Sequence, residues 1–315
     1  MDNCRTTNEK ELMKNKIFSN MSDRIKRVMN CYLCHSDKYS IRPGNVRDNK
    51  NIDVLECDNC GLVYLSSLDH IKQNHYENSG MHDDEALDIN KWLKETKIDD
   101  ERRYQFVKKK ITNKTMLDFG CGVGGFLGKA KKSAKEVSGV ELEKALQLSF
   151  KKRKLNVFEN LSVVQNNSKQ YDVITAFHVV EHLQSPKDIL KELSQLLTEG
   201  GEMIVEVPNS DDALLTLYEN KAFQNFTYWS QHLFLFNAKT MKELIIQSGL
   251  KLNWIKHIQR YPLSNHFYWL SKGNQGGQKD WGFLDNDKLT VEYEKQLALI
   301  GRTDTLIASM ELAYE

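Results

Sequence analysis

Short apolar runs alternate with amphipathic helical patterns from residue 115 onward, which predicts an α/β fold around a largely parallel sheet. Two more features shape that expectation. A glycine-rich turn, LDFGCGVGGFL at 117–127, closes the first run, and four cysteines in two closely spaced pairs precede the sheet. The chain has 315 residues and is 40% hydrophobic, enough to bury a full core. Its 44 basic and 43 acidic side chains leave a net charge of +1, so no global field draws it onto nucleic acid or an anionic membrane. The opening MDNCRTTNEKELMKNK lacks the apolar core of a signal peptide, and no run of 18 apolar residues occurs. The expectation is a soluble, cytoplasmic protein.

Residues 1–28 are polar and read as a lead-in with a weak helical pattern. Residues 29–65 form a small module. Cys31 and Cys34 make one pair, Cys57 and Cys60 another, with 22 residues between the pairs, a spacing that fits two knuckles closing a tetrahedral zinc site. Four protein ligands leave no open position, so such a zinc is structural; Gly61 suits the turn after the second pair, and His35 is a substitute ligand. Residues 66–113 read as a helical connector, with Trp92, Leu93, Ile98, Tyr104, Phe106, Val107 and Ile111 at helical spacing. The remainder, 114–315, carries the sheet. Its expected strands are TMLDFG, EVSGVEL, LNVFE, YDVITAF, EMIVEVP, LKLNWIKHI and TDTLIASMEL. Among its helices, SPKDILKELSQLLTEGG starts with Ser185 as cap and Pro186 in the first turn and is expected to end at Gly200 and Gly201. Aromatic residues at 223–236 and 261–283 suggest pocket walls, with a substrate lid around 261–301. The lysine runs at 108–110 and 151–154 read as solvated helix faces.

The glycine turn admits two ligands. Gly120, Gly122 and Gly125 satisfy a dinucleotide pattern, whereas Asp118 with Gly120, Gly122 and Gly124 reads as the D-x-G-x-G of an S-adenosylmethionine site. Glu141, closing the next strand about 20 residues on, suits two ribose hydroxyls in either case.

YDVITAFHVVEHL at 171–183 distinguishes them. With the glycine turn and Glu141, it resembles class I S-adenosylmethionine-dependent methyltransferases of the bacterial branch whose fourth strand runs into H-V-x-E-H-L. The resemblance covers roughly residues 75–312. It implies a Rossmann-like, seven-stranded methyltransferase sheet with TDTLIASMEL as its antiparallel last strand. It also implies S-adenosylmethionine as cofactor, with Asp118, Gly120, Gly122 and Gly124 at the methionine end, Glu141 at the ribose, Phe177 and His178 beside the methyl, and Tyr76 as a cover. Glu159 and Asn160 are candidates for the adenine. His182 and His232 are the candidate catalytic bases; alternatively Glu181 and His182 simply cap and brace the loop.

A four-cysteine module ahead of this fold also resembles sugar C-methyltransferases, which carry Tyr-x-Glu-His after the fifth strand. Here YWSQHLFLF at 228–236 keeps His232 but has Gln231 in place of the glutamate, and an amide cannot act as a base. The leading expectation is therefore methyl transfer to a small molecule, a sugar or nucleotide sugar of surface polysaccharide, with oxygen favoured. The alternatives are an RNA methyltransferase that uses the zinc module for binding and a non-catalytic methyltransferase-like protein.

Overall fold

The computed structural model describes residues 29–72, 75–77 and 88–313. The expected lead-in at 1–28 lies outside the described residues.

Eleven strands among the described residues form two sheets. The first has the order β1-β2-β3-β9 and is antiparallel: β1 (Tyr39–Ile41), β2 (Val54–Cys57) and β3 (Val63–Leu65) belong to the cysteine module, and β9 (Phe234–Leu235) comes from far along the chain. The second is the seven-stranded sheet, with β4 (Thr115–Phe119), β5 (Glu136–Val140), β6 (Val157–Phe158), β7 (Tyr171–Phe177), β8 (Leu197–Pro208), β10 (Leu250–Ile258) and β11 (Thr305–Leu312). Its order is β10-β11-β8-β7-β4-β5-β6. The β4, β5, β6, β7 and β8 ladders are parallel, and β11 runs antiparallel to both β8 and β10, as the resemblance implied. β7 is buried at six of its seven positions, which accounts for its nearly unbroken apolar run.

The helix Ile89–Ile111 runs between module and sheet. Asp88 caps it by accepting from the amides of Asn90 and Lys91, Lys108, Lys109 and Lys110 complement its C-terminal dipole, and it buries Tyr104, Val107 and Ile111. The helix opened by Ser185 and Pro186 stops at Ser194, short of the glycines expected to end it. β7 claims the backbone beyond that point: the Tyr171 amide donates to the Leu196 carbonyl at 2.7 Å, and Tyr171 pairs with Leu197. The register then jumps to Val173 opposite Glu202, and Gly200, at φ +72°, lies within that bulge.

The two sheets share one core. Leu62, Val63 and Tyr64 of the module are in the same buried cluster as Phe234, Phe236, Leu244, Val205 and Leu190. Phe234 sits at this seam, fully buried, paired with Tyr64 and 5.0 Å from the Tyr32 ring. Phe234→Ala is expected to lower stability by about 3–5 kcal/mol, read as a reduced urea midpoint at unchanged slope. A loss below about 0.5 kcal/mol would show that the seam does not carry this burial.

Candidate active site

A cavity of about 350 Å³ opens beyond the carboxyl ends of β4, β5 and β7. The strand order reverses at β4, with β5 and β6 on one side and β7 and β8 on the other, and this is where open α/β sheets place their ligands. The size suits a small cofactor or ligand.

The glycines shape the near wall. Gly120, Gly122 and Gly124 have φ of +71°, +50° and +72°, which favours glycine at each. A Cβ on Gly120 would collide with Val179, and one on Gly125 with the Asp100 carboxylate. Gly122 has room, its nearest neighbour being Trp92 Cζ2 at 3.5 Å, so its backbone faces open space in the cavity wall. Gly125 serves packing at the start of the helix Gly125–Ala130, where Asp100 closes on it.

Two carboxylates border this wall. Asp118 is 3% exposed and accepts a 2.6 Å hydrogen bond from the Thr175 hydroxyl. Burial pushes its carboxyl up to about 7, against the opposing effect of that bond. Glu141 accepts from the Gly122 amide at 2.8 Å and the Glu143 amide at 3.0 Å. Burial raises its pKa despite those amides. Both carboxylates sit where a cationic or hydroxyl-bearing ligand would meet them.

On another side, basic and acidic groups interlock. Glu206, near the end of β8, is fully buried; it accepts from Arg102 Nη2 at 2.9 Å through both oxygens and from Arg103 Nη2 at 2.7 Å. Burial alone would raise its pKa, yet His178 and the two arginines hold it well below the carboxylate range. Asp99 accepts from Arg102 at 3.1 Å and from Arg260 Nε at 3.0 Å, with a second, shorter Arg260 contact. Asp99, Arg103 and Arg260 all line the cavity. His178, in the left-handed region at φ +55°, places Nδ1 3.0 Å from Glu181 and Nε2 3.1 Å from both Glu206 and Arg260. Burial opposes charge on its ring, but the bonds to Glu181 and Glu206 prevail and raise its pKa.

Beyond His178 the chain turns through Val180–His182. His182 borders the cavity and is 7% exposed. Its Nδ1 lies 2.8 Å from the Gln231 carbonyl, which can only accept, so Nδ1 carries the proton and Nε2 the lone pair. Burial lowers its pKa. The Tyr76 hydroxyl donates to the His182 carbonyl at 2.7 Å, and the Tyr76 ring lines the cavity. His232 stands behind, its ring centroid 4.9 Å from that of His182, and lines a separate small crevice against the module. Burial pushes its pKa down to about 3.

Asp118, Gly120, Gly122, Glu141, Phe177, His178, His182 and Tyr76 are thus brought to one cavity. Gly124 supports the turn from behind, against Leu155. Asn160 caps the helix Leu161–Asn166, and neither it nor Glu159 reaches the cavity; Leu142 and Glu143 line that end instead. No residue of 261–301 lines it either: Trp269 packs on Phe223 and Phe226, and Arg260 is the nearest contributor. Sequence reasoning missed Asp99, Arg103 and Arg260. The paired charges of DDERR were the available signal for the first two.

The four module cysteines converge separately. Their sulfurs all lie within 4.8 Å of one another, with Cys31–Cys60 and Cys34–Cys57 each at 3.4 Å, too far for disulfides and near the edge, about 3.8 Å, of a tetrahedron with Zn–S bonds of about 2.3 Å. His35 is exposed and stands outside this cluster.

The sequence profile described as "Methyltransferase domain" matches residues 90–253. The chain is 25% identical over 179 residues to a ubiquinone biosynthesis O-methyltransferase of Coxiella burnetii, covering 52% of this chain and 76% of that protein. It is 27% identical over 170 residues to an uncharacterised protein of Methanocaldococcus jannaschii, covering 53% and 78%. Among solved structures it is similar to an S-adenosylmethionine-dependent methyltransferase of Archaeoglobus fulgidus, at 19% identity, 69% and 93% coverage and a TM-score of 0.46. No helix among the described residues is long and apolar enough to cross a membrane. The profile takes in the glycine turn, Glu141 and the His178–His182 turn together, and the chain belongs to the methyltransferase-domain family as an enzyme dependent on S-adenosylmethionine.

Proposed function

We propose that the enzyme methylates a hydroxyl oxygen of a small-molecule acceptor, a sugar or nucleotide sugar of surface polysaccharide, and that its four module cysteines hold a structural zinc. The state of His182 carries this reading: the ring borders the cavity with Nδ1–H tied to Gln231, so Nε2 is free to accept a proton from a hydroxyl. Gln231, where a C-methylating relative would carry a base, instead bonds His75 at 2.7 Å. The O-methyltransferase named among the relatives supports oxygen. The order of module and fold, similar to that of sugar methyltransferases, supports the sugar.

Asp118 and the backbone at Gly120, Gly122 and Gly124 would hold the methionine end of the donor, Glu141 its ribose, and Phe177, His178 and Tyr76 the region of the methyl. Arg103 and Arg260 would meet the donor's carboxylate. When bound, the donor supplies a methyl on a sulfonium whose thioether is already a good leaving group. What the chain adds is alignment, about 7–11 kcal/mol, and proton acceptance, roughly 10²–10⁴ in rate. A radiolabelled methyl-transfer screen across nucleotide sugars, free sugars and RNA tests the acceptor; label on a nucleotide sugar or sugar is expected, and label on RNA alone would overturn the reading.

His182→Gln is expected to lower kcat by about 10²–10⁴ with little change in KM for the donor; an unchanged kcat removes His182 from the chemistry. Donor affinity should depend on pH through Asp118. Its carboxyl, raised to about 7, is protonated below that pH, and only the carboxylate attracts the donor's ammonium. Affinity measured by calorimetry should therefore fall on acidification below about 7, by at most about tenfold per unit, and level off above it. Asp118→Asn should bind more weakly and lack that slope. Chelation of the module's zinc should lower the melting temperature, and added zinc should restore it; a melt indifferent to chelator counts against the four-sulfur site.

A further inference from the structure

A second cluster of ligand-type side chains lies at the edge of the cavity, away from the module cysteines in chemistry and in sequence. Glu181, His182 and His232 bring one carboxylate oxygen and one nitrogen of each ring within 4.8 Å of one another, and His182 Nε2 is 4.0 Å from Glu181 Oε1. Glu181 has no solvent exposure, and among the described residues its Oε2 has no hydrogen-bond partner; neither has the buried Nδ1 of His232. Leaving such groups unmet costs about 1–3 kcal/mol each, more when charged. The site has acceptors in excess. His182 donates its one ring proton outward to Gln231 and turns its lone pair inward, while Glu181 brings a carboxylate that can only accept. Outward donation to a backbone carbonyl is also how imidazoles that ligate metals are oriented. Glu181 is in turn steadied by His178 through its other oxygen at 3.0 Å.

We propose that Glu181, His182 and His232 bind one divalent transition-metal ion of the borderline class, such as Zn²⁺, Co²⁺ or Fe²⁺. Two imidazoles with one carboxylate select these ions over Mg²⁺ or Ca²⁺, which prefer all-oxygen shells. Three protein ligands leave coordination positions open, in contrast to the closed four-sulfur site. His182 borders the cavity, so an ion held by it would stand at the cavity's edge, within range to polarise an acceptor oxygen. With the ion bound, His182 Nε2 is a ligand and cannot also serve as the base; a hydroxide on the ion would then take the hydroxyl proton and leave as water. This catalytic role rests on the O-methylation reading; the binding of the ion does not.

The test uses the full chain, stripped of metal and titrated with Co²⁺. Wild type is expected to take two equivalents, one with intense thiolate-to-cobalt charge transfer and one with only weak d–d bands. Glu181→Gln and His232→Gln should each keep the charge-transfer equivalent and weaken the other at least about 100-fold. Cys57→Ser should do the reverse. Glu181→Gln, nearly isosteric, provides the result if His232→Gln fails to fold, with the near-ultraviolet dichroism of metal-free protein as the check on packing. A single equivalent in wild type, or a second equivalent unaltered in both variants, overturns the proposal. Failure of methyl transfer to sugars would leave the cobalt count unchanged, so the two readings fail separately.

Discussion

A carboxylate removed entirely from water stays ionised only when cations surround it, and most of the cavity is built around one such group. Glu206 draws Arg102 and Arg103 inward from the helix Ile89–Ile111 and fixes that helix across the carboxyl ends of the strands. Its own backbone carbonyl accepts from the His178 amide at 2.8 Å, so the same residue holds the turn that leaves β7. Arg103 then lies over the Phe177 ring at 5.2 Å, and Asp99 passes the network on to Arg260 beyond β10. Asp304, just ahead of β11, receives the Arg260 amide at 2.9 Å. One buried negative charge thereby ties together the long helix and the ends of β7, β8, β10 and β11. Arg103, Arg260 and His178, on the side of the cavity away from the glycine turn, are all held in this network.

The parts of this site that were legible in the sequence are those whose constraint is local. A left-handed turn admits glycine and little else, so Gly120, Gly122 and Gly124 identify themselves, and a closed thiolate site needs its cysteines at short, fixed spacing. The buried strands announced themselves by apolar runs. The ionic network did not, because Arg102 and Glu206 are 104 residues apart and each, read in its own neighbourhood, is an ordinary surface charge. The end of the Pro186–Ser194 helix was misplaced for a similar reason: the neighbouring strand took the backbone that helix periodicity would have claimed. β9 was hidden inside an aromatic loop, since two residues of strand carry no periodicity. The far end of the cavity stayed illegible because Leu142 and Glu143, which line it, directly follow Glu141 rather than lying after the next strand, where Glu159 and Asn160 stand.

Module and catalytic fold are not two beads on a string. Leu233 donates to the Glu181 carbonyl at 2.8 Å, Gln231 holds His182, and the next two residues complete the module's sheet. The segment 231–235 therefore both braces the His182 turn, which borders the cavity, and supplies the outer strand of the cysteine module's sheet. The module is thereby tied to the histidine turn through a few backbone bonds, although none of its four cysteines lines the cavity.

This arrangement also bears on how the protein is made. β3 presents an open edge until β9 arrives, and about 170 residues separate the two strands, roughly 10–35 s of synthesis at about 5–20 residues per second. During that interval Val63, Tyr64 and Leu65, all buried in the finished protein, pair with β2 on one edge only, and the other edge is a template for association with other nascent chains. The module, synthesised well before the seven-stranded sheet, is thus among the last parts of the molecule to be finished.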